Sequence, residues 1–333
     1  MSNVRMRFLG QYLPKRAILT ETLDSLGYHT ETDDPFFTGV DKRHWADDTE
    51  STLFMGTAAA KDLIDRHDVD PNSIDLIIFS ALIGDYVSPQ SASGIQHAIG
   101  ATQATAITLD TGCASFVSGL TYGSLLIRSG AFNKVLVISV SNFAGRAQSK
   151  VKNASAIIPG DGAGAMLLES SQSELCALVS FYEKSFGQHH GMFAIHAIDE
   201  NSQPTQLWKP SQTAAFCFDK DLVEKIKANA RHYLPLVMKQ CMHLAQIMPD
   251  EIDALFTHQP NQFLLKHWRD EIGVPAHKHL NTLSEYGNLF QASIPVSMFD
   301  AVQKNRIHPG DLILISSFAF AGELASSALI RFG

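Results

Sequence analysis

Two stretches of this chain repeat at nearly the same spacing, and the repeat limits the folds open to it. Residues 71–79 (PNSIDLIIF) resemble residues 249–256 (PDEIDALF), which begin 178 positions later, and residues 135–139 (VLVIS) resemble residues 312–316 (LILIS), 177 positions later. Short apolar runs preceded by turn residues are typical of buried strands. A spacing this long indicates a duplicated domain, because solenoid repeats are much shorter. We therefore expect two similarly folded halves, residues 1–175 and 176–333.

Predicted helices and strands alternate along both halves. Helical patterns cover residues 49–67, 88–99, 113–128, 221–246, 260–271 and 290–304, and strand patterns cover residues 74–80, 104–109, 135–140, 252–257, 277–281, 311–317 and 325–331. This alternation predicts a layered α/β fold with buried, mostly parallel central strands. Residues 181–215 are polar and irregular, and they are predicted to form a long loop between the halves.

Composition argues against several classes of protein. The 333 residues carry a net charge of −8, and an acidic surface is a poor partner for nucleic-acid phosphates. The uncharged run 111–127 is too short and too polar for a membrane span, and residues 1–16 show no signal-peptide pattern. The four cysteines are too far apart for a CxxC metal or redox motif, so we expect reduced thiols in a cytoplasmic protein; they are Cys113, Cys176, Cys217 and Cys241.

Cys113 is the first candidate for chemistry. It follows a predicted strand and a short DTG turn, and it opens a predicted helix. Aligned peptide dipoles at a helix N-terminus stabilise a thiolate, so we expect a lowered thiol pKa and a nucleophilic sulfur. Gly112 permits a sharp turn and leaves room beside the sulfur. The alternative is a small buried hydrophobic residue with no chemical role.

Two further polar residues lie at predicted strand-to-helix junctions. His258 follows the predicted strand 252–257, and the carboxyl ends of strands are where open α/β sheets place ligands. Asn288 follows Gly287 just before the predicted helix 290–304. Each has an ordinary alternative, because His258 is one of 14 histidines and an asparagine after glycine is commonly a turn residue.

Two other motifs are interpreted as structural. Residues 160–164 (GDGAG) have neither the Lys-Ser/Thr pair of a P-loop nor the spacing of a Rossmann fingerprint. His189 and His190 have no acidic or cysteine ligands nearby at useful spacing, so a solvated loop is favoured over a metal site. We expect no bound metal.

The order of Cys113, His258 and Asn288, together with their flanking residues, resembles the β-ketoacyl-acyl-carrier-protein synthase III group of the thiolase superfamily. The similar segments follow the family's order along nearly the whole chain: 38–40 (TGV), 42–43 (KR), 89–92 (PQSA), 95–96 (IQ), 110–116 (DTGCASF), 129–131 (SGA), 158–165 (IPGDGAGA), 258–261 (HQPN), 286–288 (YGN), 292–295 (ASIP) and 327–332 (SALIRF). The resemblance implies a thiolase-like αβαβα layered fold, with Cys113 in the N-terminal half and His258 and Asn288 in the C-terminal half.

The resemblance also implies a mechanism. Cys113 would take an acyl group from a thioester, and His258 and Asn288 would hydrogen-bond the thioester carbonyl of a malonyl-type second substrate as it loses CO2. The carbanion would then attack acyl-Cys113, and the oxyanion would be held by the Cys113 N–H and one from the loop 318–322. The implied substrates are thioesters of coenzyme A or acyl-carrier protein, with no further cofactor, and the implied assembly is a homodimer.

Some positions that contact the substrate carrier depart from the family's pattern. Phe37 stands where the family has an arginine that helps hold coenzyme A, whereas Arg146 matches an arginine that stacks on adenine. Asn261 of the HQPN motif is kept as a candidate substrate contact, but Phe263 replaces an arginine that helps dock the carrier protein. One coenzyme contact therefore survives, and carrier-protein thioesters are the expected preference.

Two further departures concern the acyl group. Residues 318–323 (FAFAGE) replace the family's glycine-rich loop and keep only Gly322. Ser88 stands where a bulky phenylalanine of the partner subunit lines the acyl pocket, and the smaller side chain could open a tunnel for a longer or bulkier chain.

These changes indicate a specialised condensing enzyme in secondary-metabolite or fatty-acid-derived biosynthesis. Two other functions stay open. One is an acyltransferase that moves the acyl group to an alcohol or amine, which CO2 release from a malonyl thioester would distinguish. The other is a non-catalytic partner subunit of a heterodimeric synthase, which the retained Cys113 argues against because such subunits usually lose this cysteine.

Overall fold

The computed structural model describes residues 3–29, 32, 34–86, 88–146, 152, 154–173, 177–193, 195–198, 204–205, 213–216 and 220–333. The strands are β1 Asn3–Tyr12, β2 Ala17–Leu19, β3 Lys42–His44, β4 Leu76–Ala81, β5 Thr105–Thr108, β6 Lys134–Ser141, β7 Gly162–Ser171, β8 Ala177–Ser185, β9 Ile195–Ile198, β10 Pro204–Thr205, β11 Thr213–Phe216, β12 Ala254–Thr257, β13 Leu312–Ala319 and β14 Leu324–Arg331. The helices are α1 Thr52–His67, α2 Ala92–Ala98, α3 Ser115–Arg128, α4 Phe143–Arg146, α5 Lys220–Ala245, α6 Gln262–Ile272, α7 Leu283–Tyr286 and α8 Ser293–Gln303.

Two larger sheets have the same strand order and directions. The first runs β5-β4-β6-β7-β1, with β4 parallel to β5 and β6 and the remaining pairs antiparallel. The second runs β12-β13-β14-β8, with β12 parallel to β13 and the rest antiparallel. Where β5 pairs with β4 in the first sheet, the second sheet has one parallel bridge between Leu255 of β12 and His279. His279 lies in the predicted strand 277–281. The chain is therefore built from two duplicated halves, as predicted, and the division at residues 175/176 stays a prediction.

Strand register refines the repeat. Leu76 pairs with Val135 in the first sheet, and Ala254 pairs with Ile313 in the second. Equivalent residues are thus 178 positions apart in both strand pairs. The sequence match between residues 135–139 and 312–316 had a spacing of 177, one position too short.

The helices complete five layers, which confirms the αβαβα expectation. One core cluster joins α1 and α2 to one face of the first sheet. A second cluster contains Phe116 and Leu120 of α3, Ile294 and Met298 of α8 and strands of both sheets, so these two helices form the central layer. A third cluster joins α5 and α6 to the outer face of the second sheet. The site residues lie at ends of elements around this central layer.

Several local predictions were wrong. The predicted loop 181–215 includes most of β8, which pairs with β14, and a small sheet of order β10-β9-β11. The helix predicted from residue 88 begins at Ala92, so Pro89 precedes it. Cys176 and Cys217 lie outside the described residues. In the part of the chain that the structure describes, no helix combines the length and apolarity that crossing a membrane requires.

Candidate active site

A tight turn between β5 and α3 holds Cys113. Residues Gly112–Ala114 form one turn of 3-10 helix, and α3 begins only at Ser115. The Asp110 carboxylate accepts the Gly112 N–H at 3.1 Å, and the Ser115 hydroxyl donates to the Gly112 carbonyl at 2.8 Å. The Ser317 hydroxyl of β13 donates to the Cys113 carbonyl at 2.7 Å, so the second half of the chain fixes the nucleophile's peptide.

Gly112 meets two steric demands that exclude other residues. Its φ is +55°, in the left-handed region that side chains disfavour. A Cβ atom there would lie 2.6 Å from Cε2 of the Phe320 ring. The turn therefore brings an aromatic ring directly against the residue beside the nucleophile.

Burial determines the charge of Cys113. The side chain is 8% exposed, and burial raises the pKa of its thiol to about 12, outweighing the opposing effect of its own backbone N–H. The expectation of a lowered pKa was wrong for this reason. The thiol is neutral in the resting site, so a base must accept its proton during attack.

His258 is placed by the parallel strands β12 and β13 of the second sheet. It follows β12, and its N–H donates to the Ser316 carbonyl of β13 at 2.9 Å. The imidazole is buried, and burial lowers its pKa to about 4 against an opposing backbone contact with Phe290. Its Nδ1 is buried with no hydrogen-bond partner among the described residues. A neutral imidazole is available to accept a proton or to donate one hydrogen bond.

Asn288 is held by a segment of the first half. Its N–H donates to the Ile158 carbonyl at 2.8 Å, and its carbonyl accepts the Gly160 N–H at 2.9 Å. The side-chain Oδ1 accepts the Phe290 N–H at 2.8 Å, which leaves Nδ2 as the donor without a partner in the described chain. The neighbouring Asp161 accepts backbone N–H groups of Ala46, Ala144 and Gly145 at 2.7–2.8 Å. The GDGAG motif is thus a structural turn that positions Asn288.

All three candidates line one pocket. Its empty volume is about 680 Å³, and Cys113, His258 and Asn288 contribute to its wall. Most of the remaining lining is aromatic or aliphatic: Phe36, Phe37, Ile158, Pro159, Phe193, Ile226, Pro260, Leu264, Phe290, Phe318, Phe320 and Ala321, with Ser155. A thiol, an imidazole and a carboxamide in an apolar chamber suit covalent chemistry on a carbonyl compound, because low polarity strengthens each hydrogen bond to a developing charge.

The residues predicted to contact the carrier or the acyl group divide into two groups. Phe37 lines the pocket, but Arg146 and Ser88 are not among the described lining residues. The Arg146 guanidinium is ion-paired with Asp85 at 3.1 Å, and Asp85 also accepts two N–H groups at the start of α1. Ser88 is exposed on the loop that follows β4.

The remaining predicted residues surround α6 and the loop after β13. Asn261 is buried and caps α6, its Oδ1 accepting the Leu264 N–H at 2.9 Å while Nδ2 has no partner in the described residues. The Phe263 ring lies 5.8 Å from the Arg231 guanidinium of α5, so a cation stands beside the position where the resemblance implied one. Gly322 is buried just behind Ala321, which lines the pocket.

Sequence reasoning missed the aromatic lining. Phe193, Phe290 and Phe320 pack against the core cluster that contains Cys113 or belong to it. Their only signal was the number of phenylalanines, 20 in the chain, and the FAFAGE segment.

The two adjacent histidines have separate partners. His189 pairs with the Tyr233 hydroxyl at 2.9 Å, and His190 pairs with the Glu323 carboxylate at 3.0 Å. Within the described ranges no group of three or more His, Cys, Asp or Glu residues is arranged to hold a metal ion.

Comparisons with known proteins identify the family to which the chain is similar. Residues 107–187 match the family model of 3-oxoacyl-[acyl-carrier-protein (ACP)] synthase III, and residues 242–332 match the model of its C-terminal region. Beta-ketoacyl-[acyl-carrier-protein] synthase III 2 of Halalkalibacterium halodurans is 30% identical, with 99% of this chain and 96% of that protein covered. The synthase III of Trichormus variabilis is also 30% identical, with 97% and 96% covered.

A solved structure shares the fold of this chain. The crystal structure of 3-oxoacyl-[acyl-carrier-protein] synthase III from Aquifex aeolicus VF5 superposes with a TM-score of 0.83 at 23% identity, covering 99% of this chain and 100% of that one. With the thiolase-type layers, the Cys, His and Asn pocket and full-length relatives in hand, this chain belongs to the β-ketoacyl-[acyl-carrier-protein] synthase III family of acyl-transferring condensing enzymes.

Proposed function

We propose that this protein forms an acyl-enzyme on Cys113 and condenses it with a malonyl-type thioester. The observation that carries the proposal is the single apolar pocket lined by Cys113, His258 and Asn288. Covalent catalysis of this kind divides one difficult acyl transfer into two easier steps. Retention of all three groups, each buried and held by its own hydrogen bonds, favours a catalytic subunit over a non-catalytic partner.

The acylation step uses the neutral thiol and the neutral imidazole. The Cys113 sulfur bonds to the acyl carbon, the thioester C–S bond breaks, and the thiol proton passes through His258 to the departing carrier sulfur. The backbone N–H of Cys113 is directed at its own sulfur region and supports the tetrahedral oxyanion. The Ser115 hydroxyl holds that peptide through the Gly112 carbonyl, and Ser317 holds the following peptide through the Cys113 carbonyl.

The condensation step uses the two unpartnered donors. Asn288 Nδ2 and the imidazole of His258 bind the thioester oxygen of the malonyl group, where negative charge develops as the C–C bond to the carboxylate breaks and CO2 leaves. The released electron pair forms a bond to the acyl carbon on Cys113. The bond between that acyl carbon and the Cys113 sulfur then breaks. A solvent proton then restores the thiol.

Carrier-protein thioesters are the proposed substrates in preference to coenzyme A. Arg146 is occupied by Asp85, and Phe37 lines the pocket where an arginine would hold coenzyme A. The Arg231 guanidinium over Phe263 supplies a cation on the α5–α6 surface, which suits an acidic carrier protein. Together with Ser88, these departures support a specialised biosynthetic role.

A homodimer is proposed on the exposed edge of the first sheet. The strand β5 is terminal in that sheet and leaves one row of backbone groups unpaired by any described strand. Its Ile107 is 42% exposed, and Tyr122 and Leu125 on α3 are also exposed. A second copy pairing along β5 would satisfy the backbone and cover such side chains. Sedimentation equilibrium measures the state directly; a monomer at working concentration contradicts this assembly.

The test of function is acyl transfer to Cys113. The protein is incubated with acetyl-coenzyme A or with acyl-carrier thioesters, and acyl mass is mapped by peptide. We expect acyl mass on Cys113, faster from the carrier, and none in the Cys113→Ala variant. The other three cysteines of the chain are internal controls together, because nonspecific acylation would not be confined to Cys113. No acyl mass on Cys113 from any thioester contradicts the proposal.

The second step has its own test. Malonyl-carrier thioester is supplied alone, and CO2 release is measured. We expect His258→Ala and Asn288→Ala to lose roughly 10²–10³-fold in rate, because each removes a donor to the developing oxyanion. Acyl loss to an alcohol or amine without CO2 release favours the acyltransferase alternative and contradicts condensation.

A further inference from the structure

The turn after β13 has an unusual backbone. Phe320, Ala321 and Gly322 have φ angles of +48°, +57° and +115°. Left-handed backbone is open to glycine, but it is sterically disfavoured for residues that carry a side chain. Residues bearing side chains hold two of the three positions, so the surrounding structure must maintain the turn.

Asn229 of α5 pins this turn from behind. Its Nδ2 donates to the Ala321 carbonyl at 2.8 Å and lies 3.7 Å from the Met192 sulfur. A Cβ atom on Gly322 would lie 2.9 Å from the Asn229 Cβ, so the third position accepts only glycine. The turn is therefore fixed by a hydrogen bond on one side and close packing on the other.

The strained turn carries the Phe320 ring to the nucleophile. The ring lies against Gly112, the residue before Cys113, and it lines the same pocket as the thiol. Phe290, also at a positive φ of +48°, lines this pocket and belongs to the core cluster that contains Cys113. Two phenylalanines with left-handed backbone thus line the part of the pocket that packs with Cys113.

Much of the remaining apolar lining belongs to a different packing unit. Phe36, Phe37, Ile226 and Leu264 pack in the cluster that joins α5 and α6 to the second sheet. A side chain removed there enlarges the pocket away from the nucleophile. A side chain removed at Phe320 enlarges it beside the nucleophile, where an acyl group bound to Cys113 must lie.

We propose that Phe320 is the specificity-determining residue that limits the size of the acyl group on Cys113, and that the strained turn holds its ring there. The inference rests on the proposed function, since it names the acyl class of the same site. Small acyl groups fit beside the ring, and long or branched ones are excluded until the ring is removed. This limit belongs to the chain itself and opposes the extra room that Ser88 suggests.

The direct test compares Phe320→Ala and Phe320→Gly with the wild type. Acyl mass on Cys113 is measured with carrier thioesters of increasing acyl length and branching. We expect both variants to accept long or branched acyl groups at least tenfold faster relative to acetyl than the wild type does. Phe37→Ala, in the other packing unit, should keep the wild-type ratio. An unchanged ratio in both Phe320 variants overturns the proposal.

A second measurement does not depend on catalysis. Haloacetamides of increasing bulk alkylate Cys113, and the ratio of large to small reagent reactivity is compared among the same proteins. Phe320→Ala and Phe320→Gly should raise this ratio, and an unchanged ratio contradicts the proposal. If no thioester acylates Cys113 but the haloacetamide ratio rises in the Phe320 variants, the proposed function is wrong and the steric role of the ring still stands.

Thermal unfolding separates strain from size. Phe320→Gly should unfold at a higher temperature than Phe320→Ala, because glycine alone is relaxed at a φ of +48°. Gln246→Gly is the matched control, since Gln246 is exposed at a φ of +57° and is not one of the pocket's lining residues. It should raise the midpoint without changing either size ratio. Equal midpoints for the two Phe320 variants overturn the claim of a strained turn.

Discussion

Cys113 and His258 share a pocket whose apolar walls set the charge of both groups. Burial raises the pKa of the thiol to about 12 and lowers the pKa of the imidazole to about 4. A neutral pair is therefore the resting state, in contrast to a thiolate–imidazolium pair. The dipole of α3 does not override burial here, because the thiol lies in a 3-10 turn before the helix.

The neutral thiol can be tested by its reaction with a small haloacetamide. Only the thiolate reacts, and its fraction grows about tenfold per pH unit below the pKa. With a pKa of about 12, alkylation of Cys113 should rise continuously from pH 7 to pH 9. The Cys113→Ser variant corrects for other thiols. A plateau beginning below pH 8 would show that a thiolate already exists and contradict the neutral pair.

Some residues of the site could be predicted from sequence, and others could not. Cys113 and His258 stand at strand-to-helix junctions, which the hydrophobic pattern locates. Asn288 was predicted at such a junction, but it lies between α7 and α8 and is placed by backbone hydrogen bonds to Ile158 and Gly160 of the first half. Phe320 was unpredictable in conformation, because phenylalanine disfavours the left-handed backbone that it adopts. Arg146 matches a family position, yet its partner Asp85 is distant in sequence and only the folded chain shows the pairing.

At the scale of elements, helix caps place the chemistry-bearing residues. Ser51 caps α1, its hydroxyl accepting the Phe54 N–H at 3.1 Å, and Asn261 caps α6 in the same way. Both belong to the residue types that favour this position. The α6 cap lies three residues after His258, so it also fixes how the chain leaves the pocket.

A matched pair of variants separates the contribution of a cap to stability from its effect on the active site. Ser51→Ala and Asn261→Ala should each lower the free energy of unfolding by about 1 kcal/mol, since each removes one capping hydrogen bond. Only Asn261→Ala should also slow acylation of Cys113, because its cap adjoins the site. Denaturant unfolding and acyl-mass kinetics give the two readouts. Equal effects of both variants on acylation would contradict the positioning role of the α6 cap.

Elements with strong periodicity were predicted well, and the missed strands have a physical explanation. The runs that became β4, β6, β12 and β13 are apolar and bounded by turns, so their pattern is clear. The strand β7 begins with glycines and alanines, which are depleted in strands. Its Gly164 allows α8 to approach, because a Cβ there would lie 2.7 Å from Pro295. Close packing in the central layer therefore requires small residues at the start of β7, and small residues give no strand pattern in the sequence.

At the scale of the whole molecule, the duplicated halves enclose the site between them. Cys113 and the segment 158–161 come from the first half, whereas His258, Asn288 and Ser317 come from the second. His279, which makes the isolated bridge in the second sheet, is buried beside Thr257 at 3.1 Å. Burial lowers its pKa to about 4, as it does for His258. The second half therefore holds two buried neutral histidines.

Acid should weaken the folded state through these histidines. Below pH 6.5 the unfolded chain binds protons on them, whereas the folded chain does not until about pH 4, so stability falls as the pH falls through this window. Asp161, whose pKa burial raises to about 7, acts in the opposite direction. The test therefore compares the wild type with His279→Gln. From pH 7 to pH 5 the wild type should lose up to about 2 kcal/mol relative to the variant; parallel pH curves would contradict it.

The most direct measurement of the central claim is a single-turnover chase. Acyl-Cys113 protein is prepared, malonyl-carrier thioester is added, and loss of acyl mass is followed together with CO2 and the β-ketoacyl product. We expect the three to change in equal amounts in the wild type, and the acyl mass to persist in His258→Ala and Asn288→Ala. If those variants lose the acyl group as fast as the wild type, or if it leaves without CO2, then Cys113, His258 and Asn288 do not act together in one condensation.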